Sequence, residues 1–283
     1  MLKKTAFYFF AFTTLLFVIG SNSCKKQRQK QECKTFTEMQ DPTADTLSDW
    51  SHVEPGLNVS QIPISEKQAK SVPYNGSIRK TVDVAGWKGE RVSAQLVIWS
   101  SENIEQVECE FSSFKSENST LSAGVAQARF VRYVMTDEFA SGCGHRKPED
   151  FAASLAPDML DNLACFNLEG KTTRTIWITI KIPSDAQARK YDGNLTIYSR
   201  RHDTQHINIS IDVVDRILPD PSEWVYHLDL WQHPSAVARV HNLKVWSDDH
   251  FDKMKPLMKM LADAGQKVIT ATLNKDPWNN QCF

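Results

Sequence analysis

Between Gly56 and Asp215 apolar side chains recur at every second position in a series of short runs. Arg91-Val92-Ser93-Ala94-Gln95-Leu96-Val97-Ile98-Trp99 alternates and then turns continuously apolar. Glu105 to Phe114 alternates through Val107, Cys109 and Phe111, and Ala128 to Val134 alternates again. Arg174 to Ile182 places Ile176, Ile178, Ile180 and Ile182 on one side, and Asn194 to Tyr198 and Ile207 to Val213 complete the set. Gly, Pro, Asn and Ser separate the runs. A period of two puts successive side chains on opposite faces of a strand, so each run buries one face and wets the other. Several such strands with turn residues between them predict an antiparallel β-sandwich over residues 53–216. Trp87-Lys88-Gly89-Glu90 is expected to be a tight connection into the strongest strand.

The pattern changes after Arg216-Ile217-Leu218-Pro219-Asp220-Pro221, where two prolines block both helix and sheet and give a stiff connector. Ser222 to Pro234 reads as a strand that opens into a polar and aromatic loop at Trp231, Gln232 and His233. Ser247 to Asp263 reads as a helix, with Phe251, Met254, Leu257, Met258, Leu261 and Ala262 on one face. Ser247 is its expected cap, Asp248 and Asp249 suit the first turn, and Gly265 is its expected stop. The methionines Met254, Met258 and Met260 are read as core filler. Lys267 to Leu273 is a second strand, opening into Asp276, Trp278 and Asn279. Strand, helix, strand is a βαβ unit, and its two loops would sit together at the carboxyl ends of parallel strands, where such folds place their sites. Within the strand, His227 is expected to pack. The fold class is therefore mainly β: an antiparallel β-sandwich followed by a truncated βαβ start of a (β/α)8 barrel, over residues 217–283.

Ahead of the sandwich, Lys3 and Lys4 precede an apolar run from Thr5 to Ile19, too short for a transmembrane helix of ~20 residues. Small residues then lead to Cys24. This resembles a lipoprotein signal peptide over residues 1–23, with lipidation of Cys24 and a basic, polar tether over residues 24–52. An ordinary signal peptide with an incidental cysteine is the alternative. The lipoprotein reading implies a bacterial, membrane-anchored product, facing the periplasm or the cell surface. Asp45 to Trp50 is expected to dock on the domain that follows.

The 283 residues suffice for one large or two medium domains, and a formal net charge of −1 offers no basic surface for nucleic acid. Beyond Cys24 the cysteines are Cys33, Cys109, Cys143, Cys165 and Cys282, an odd number with no zinc-site spacing, so no metal and no cofactor is expected. Cys143 and Cys165 flank one segment and are candidates to pair, with buried free thiols as the alternative. That segment, Asp137 to Leu168, reads as a long loop carrying His145, Arg146 and Asp158, the last near a helix cap.

Four stretches then carry a resemblance: Trp87 to Gln95; Leu155 to Phe166; His227-Leu228-Asp229-Leu230-Trp231-Gln232-His233-Pro234; and Leu261 to Thr270 running into Asp276-Pro277-Trp278-Asn279. Together they resemble glycoside hydrolase family 123, the bacterial β-N-acetylgalactosaminidases and their relatives. The resemblance runs from about Val53 onward and is most specific after Pro221. It implies an N-terminal sandwich before a (β/α)8 barrel and a glycan substrate containing N-acetylhexosamine. It also implies substrate-assisted hydrolysis, in which the 2-acetamido oxygen attacks the anomeric carbon, an Asp orients that group and an adjacent Glu protonates the leaving oxygen. A barrel takes ~250 residues, and fewer than seventy follow Pro221. No position here matches the Asp-Glu pair; Asp137-Glu138, Glu149-Asp150 and Asp248-Asp249 are acidic pairs without the context, so no catalytic residue is assigned. The expected substrate-binding residues are Trp231, Gln232, His233, Asp276, Trp278 and Asn279. The competing expectation is a non-catalytic, lipid-anchored sandwich that binds carbohydrate or serves as a scaffold.

Overall fold

A computed structural model describes residues 33, 37–41, 47–136 and 154–268. Twelve strands form two sheets among them. They are β1 (Asn58–Ile62), β2 (Thr81–Lys88), β3 (Arg91–Ser100), β4 (Ile104–Phe111), β5 (Phe114–Lys115), β6 (Thr120–Leu121), β7 (Ala126–Thr136), β8 (Ser154–Leu160), β9 (Phe166–Leu168), β10 (Thr172–Lys181), β11 (Lys190–Tyr198) and β12 (Gln205–Ile217). One sheet runs β1-β3-β10-β7-β8; the other runs β2-β12-β11-β4-β9, with β5 and β6 attached to β11.

The alternation in the sequence is what holds the sheets together. In the β3–β10 pair, Leu96 lies opposite Ile176, Ala94 opposite Ile178 and Val92 opposite Ile180. These side chains face Tyr191, Leu195, Ile207, Ile209 and Ile211 of the other sheet in one buried cluster. The other face of β3 is covered as well. Val97 and Trp99 pack with Ile62 and Trp50 in a second cluster, edged by Val53 and Tyr74. Burial on both sides explains why this strand ends in a continuous apolar run. Of the stretch Asp45 to Trp50 expected to dock, Trp50 does so, and Asp45 and Thr46 lie outside the described residues.

The Trp87–Glu90 connection is as tight as its residues imply. Gly89 adopts φ +85°, the left-handed region that favours glycine, and the Trp87 amide donates to Glu90 Oε2 at 2.7 Å.

Four readings of the sandwich and the connector need correction. First, the sandwich is not wholly antiparallel: β12 pairs with β2 in parallel, Ile209 opposite Val82. These strands are far apart in sequence, so no hairpin dictates their direction. Second, part of the segment read as a loop is β8 and β9. β8 pairs with β7, with Pro157 opposite Tyr133 at a register shift, and Asp158 lies in this strand rather than at a helix cap. Proline is tolerated there because β8 is an edge strand. Third, Cys165 bonds to Cys33, not to Cys143. The chain before the sandwich runs past the start of β9 and brings the two Cα atoms to 5.2 Å. Cys143, like His145 and Arg146, lies outside the described residues. Fourth, Ser222 to Pro234 is not a continuous strand. Pro221–Glu223 is a turn of 3-10 helix and Pro234 opens α1 (Pro234–Val240).

The helix expected after Ser247 is present as α2 (Asp248–Asp263), with the Ser247 hydroxyl accepting from the His250 amide and Gly265 at φ +98° just past its end. Its apolar stripe is less buried than its pattern implies. Met254 is buried, but Phe251, Leu257, Met258 and Met260 are exposed, so the reading of Met258 and Met260 as core filler fails.

Candidate functional site

The loop after the connector is placed by one backbone pairing and one side chain. Leu228 and Gln266 form a parallel bridge, the relation that the first and second strands of a βαβ unit require. Gln266 is buried and its amide ties the two segments together. Its Oε1 accepts from the Leu230 amide at 3.3 Å. Its Nε2 lies within donating distance of Leu230 O at 3.1 Å, of Gln232 Oε1 at 3.4 Å and of Val268 O at 2.6 Å. A buried amide needs such partners, and here they join residue 230 to residue 268. Gln266 was not singled out in the sequence, where a lone glutamine before a strand carries no motif.

Trp231, Gln232 and His233 follow the bridge toward its carboxyl side. Trp231 is 70% exposed, so much of its ring is open to stacking. Gln232 is half-buried, and its amide donates to Leu230 O. His233 holds the loop in place by capping α1, its Nδ1 accepting from the Ala236 amide at 3.2 Å. Asp276, Trp278 and Asn279 lie outside the described residues. His227, expected to pack, is exposed.

Behind the loop, the fully buried His250 locks α1 to α2. Its Nδ1 accepts from the Trp246 amide at 2.9 Å. That bond leaves the proton on Nε2, which donates to Pro234 O at 2.8 Å. Trp224 closes the other side, its indole N–H donating to Pro219 O at 2.8 Å and its ring stacking on Tyr226 at 5.4 Å.

A cavity of about 510 Å³ opens elsewhere, where residues 37–41 cross the sandwich. There the Glu38 carboxylate meets Arg174, Lys70 and the Tyr133 amide. Burial alone would raise the Glu38 carboxyl. The hydrogen bond and charge of Arg174, then Lys70 and the Tyr133 amide, outweigh it and hold the group at about 2.

The described residues thus show a β-sandwich joined by a proline connector to a segment of two helices and one parallel bridge, with an exposed tryptophan and amide groups beside it. The family matches supply the class. The profile for the glycoside hydrolase 123 N-terminal domain matches residues 65–199, and that for the glycoside hydrolase 123 catalytic domain matches residues 231–283. The chain belongs to glycoside hydrolase family 123.

Among solved structures, a family 123 glycoside hydrolase from Clostridium perfringens, studied for glycolipid glycan hydrolysis, superposes with a TM-score of 0.69 at 21% identity. The alignment covers 80% of this chain and 39% of that enzyme. At this identity the likeness establishes the fold, and the chain spans well under half of the enzyme's length. Spo0M from Bacillus subtilis aligns at 10% identity over 56% of this chain and 50% of its own, but a TM-score of 0.27 carries no argument. No curated protein matches the sequence.

Proposed function

We propose that this chain supplies the sandwich and the first strand-helix-strand segment of a (β/α)8-barrel glycoside hydrolase that removes terminal N-acetylhexosamine from glycans. The observation that carries the reading is the order of the two family matches along the chain, with the parallel Leu228–Gln266 bridge at the head of the catalytic one. In this reading Trp231 stacks on a sugar face, and Gln232, with Asp276, Trp278 and Asn279 from the second loop, meets sugar hydroxyls. His233 orients the loop by capping α1.

The chemistry is substrate-assisted. The 2-acetamido oxygen closes on the anomeric carbon while one carboxylate stays ionised to steer the acetamide and another stays protonated to release the aglycone. No residue of this chain is assigned either role. By itself the chain is therefore inactive. Incubation with an aryl β-N-acetylgalactosaminide is expected to release no phenol. Release that persists through removal of contaminating hydrolases would overturn the reading.

We further propose that Cys24 carries a lipid and tethers the sandwich to a bacterial membrane. The support is the sequence alone, since residues 1–32 lie outside the described residues. Labelled fatty acid should enter the wild type and not Cys24→Ala; equal incorporation would rule the anchor out.

A further inference from the structure

In the β1-β3-β10-β7-β8 sheet, alternation sends Ile176, Ile178 and Ile180 of β10 into the core and leaves Trp177, Thr179 and Lys181 on the outer face. Register then fixes their neighbours. Arg129 and Gln95 flank Trp177, Gln127 and Ser93 flank Thr179, and Arg91 lies opposite Lys181. A crossing segment covers this face only as far as the Trp177 row. Gln95 Nε2 donates to Pro63 O at 3.1 Å and to Glu66 O at 2.7 Å, and the Tyr133 hydroxyl donates to Gln68 O at 2.8 Å. Beyond that ledge Arg91, Gln127 and Lys181 are exposed, and Trp177 and Arg129 are half-buried.

The charge on this strip has one sign. Its register positions hold three cations and no acid. The side chains of Arg91, Arg129 and Lys181 form no ion pair or hydrogen bond among the described residues, and the Nε of Arg129 is buried without a partner. Glu66, on the ledge, is engaged by Gln68, whose Nε2 donates to its carboxylate at 3.1 Å. Arg91 and Lys181 stand directly opposite in the ladder, where like charges destabilise a sheet. The chain has a formal net charge of −1, so the strip is a local concentration of positive charge and not part of a generally basic surface.

We propose that this strip binds an anionic polysaccharide, with a sugar ring on Trp177 and negative groups on Arg129 at one end and on Arg91 and Lys181 at the other. The two ends are four residues apart along β10, about 13 Å, more than one small anion spans. A ligand that meets both must carry repeated charges. Tryptophan offers an apolar ring face, and Gln127, Thr179 and Ser93 place amide and hydroxyl groups between the charges, the partners that sugar hydroxyls need. The strip is a sheet face, with no helix or ribbon that would enter a nucleic-acid groove. It uses no residue of the catalytic segment, so it stands or falls apart from the barrel reading.

The test is calorimetric titration of the whole chain with dextran sulfate, with neutral dextran of the same length and with double-stranded DNA. The wild type should bind dextran sulfate, leave dextran unbound and bind DNA at least about tenfold more weakly. Arg91→Gln/Lys181→Gln should weaken dextran sulfate about fivefold or more and flatten its dependence on salt. Trp177→Ala, its fold confirmed by circular dichroism, should weaken it about fivefold or more with the salt dependence kept. Equal binding of dextran or of DNA, or affinity unchanged by either variant, would overturn the proposal. An independent readout needs no ligand. Because the double variant removes a directly opposed like-charge pair, it should unfold at a temperature equal to or above that of the wild type. A lower temperature would show that the chain itself uses these cations, and would overturn it as well.

Discussion

Replacing Glu38 by glutamine keeps the side chain's shape and removes its charge from four donors. The carboxyl's ordinary value is 4.5 and its folded value about 2. A folded value below the unfolded one means that the ionised group stabilises the fold. The stabilisation is complete above the unfolded value and is lost as pH falls through the folded one. At 1.36 kcal/mol per unit, the difference corresponds to about 3 kcal/mol at neutral pH. A neutral amide cannot supply it and leaves the buried Arg174 without its countercharge, which alone costs roughly 3–5 kcal/mol when a buried pair is broken. Glu38→Gln should therefore be at least about 3 kcal/mol less stable at pH 7, a drop of roughly 6–12 °C in Tm for a domain of this size. The gap should shrink steadily from about pH 5 toward pH 2, where the wild type loses its own charge. Urea unfolding across that range, followed by the emission of Trp50 and Trp99 in the adjoining cluster, measures it. A gap that is independent of pH, or below about 1 kcal/mol at pH 7, would refute the argument.

The Cys33–Cys165 bond closes a separation of 132 residues, so Cys165→Ser should cost about 4–5 kcal/mol of stability by chain entropy; an unfolding midpoint unchanged by a reductant would contradict this. Burial, with the Glu108 charge adding, pushes the Cys109 thiol up to about 12, so native Cys109 should resist alkylation at pH 8 until the sandwich unfolds. Peptide mapping that finds it labelled in the native state would contradict that. Gly265→Ala puts a methyl group 2.4 Å from the Trp224 ring at a φ of +98°. It should cost about 1–3 kcal/mol locally, seen as faster proteolysis between Pro221 and Gln266 with the sandwich intact. Unaltered cleavage there would count against the tight packing of Trp224 on this turn.

Much of the sandwich was legible because period-two burial is written directly into Ile176, Ile178 and Ile180 and into Ile207, Ile209 and Ile211. α2 was legible from its cap and its glycine stop. What escaped depends on contacts distant in sequence. Pro157 and Asp158 have turn chemistry, yet β7 recruits them into an edge strand. Cys33 could not be matched to Cys165 across 132 residues by spacing. α1 is only seven residues long and too short to show a stripe. Gln266 matters through three carbonyl and amide partners that no local pattern announces. The end of the sandwich was legible from the boundary prolines, since β12 stops at Ile217, just before Pro219. The Glu38–Arg174 site was not found at all, since its halves lie 136 positions apart.

The central proposal is that the chain after Pro221 begins a barrel rather than completes the sandwich. A barrel start presents an apolar face that further strands and helices cover. Here, on α2, Met260 is 67% exposed, Phe251 46% and Leu257 45%. Patches of this kind promote association when nothing covers them. The direct measurement compares the chain ended after Asp215 with the chain carried through Phe283, by light scattering and limited proteolysis. The account predicts that the shorter form is monomeric and resistant, while the longer one associates or is cut readily after Pro221. Equal monodispersity of the two, with no preferential cleavage beyond Pro221, would contradict it.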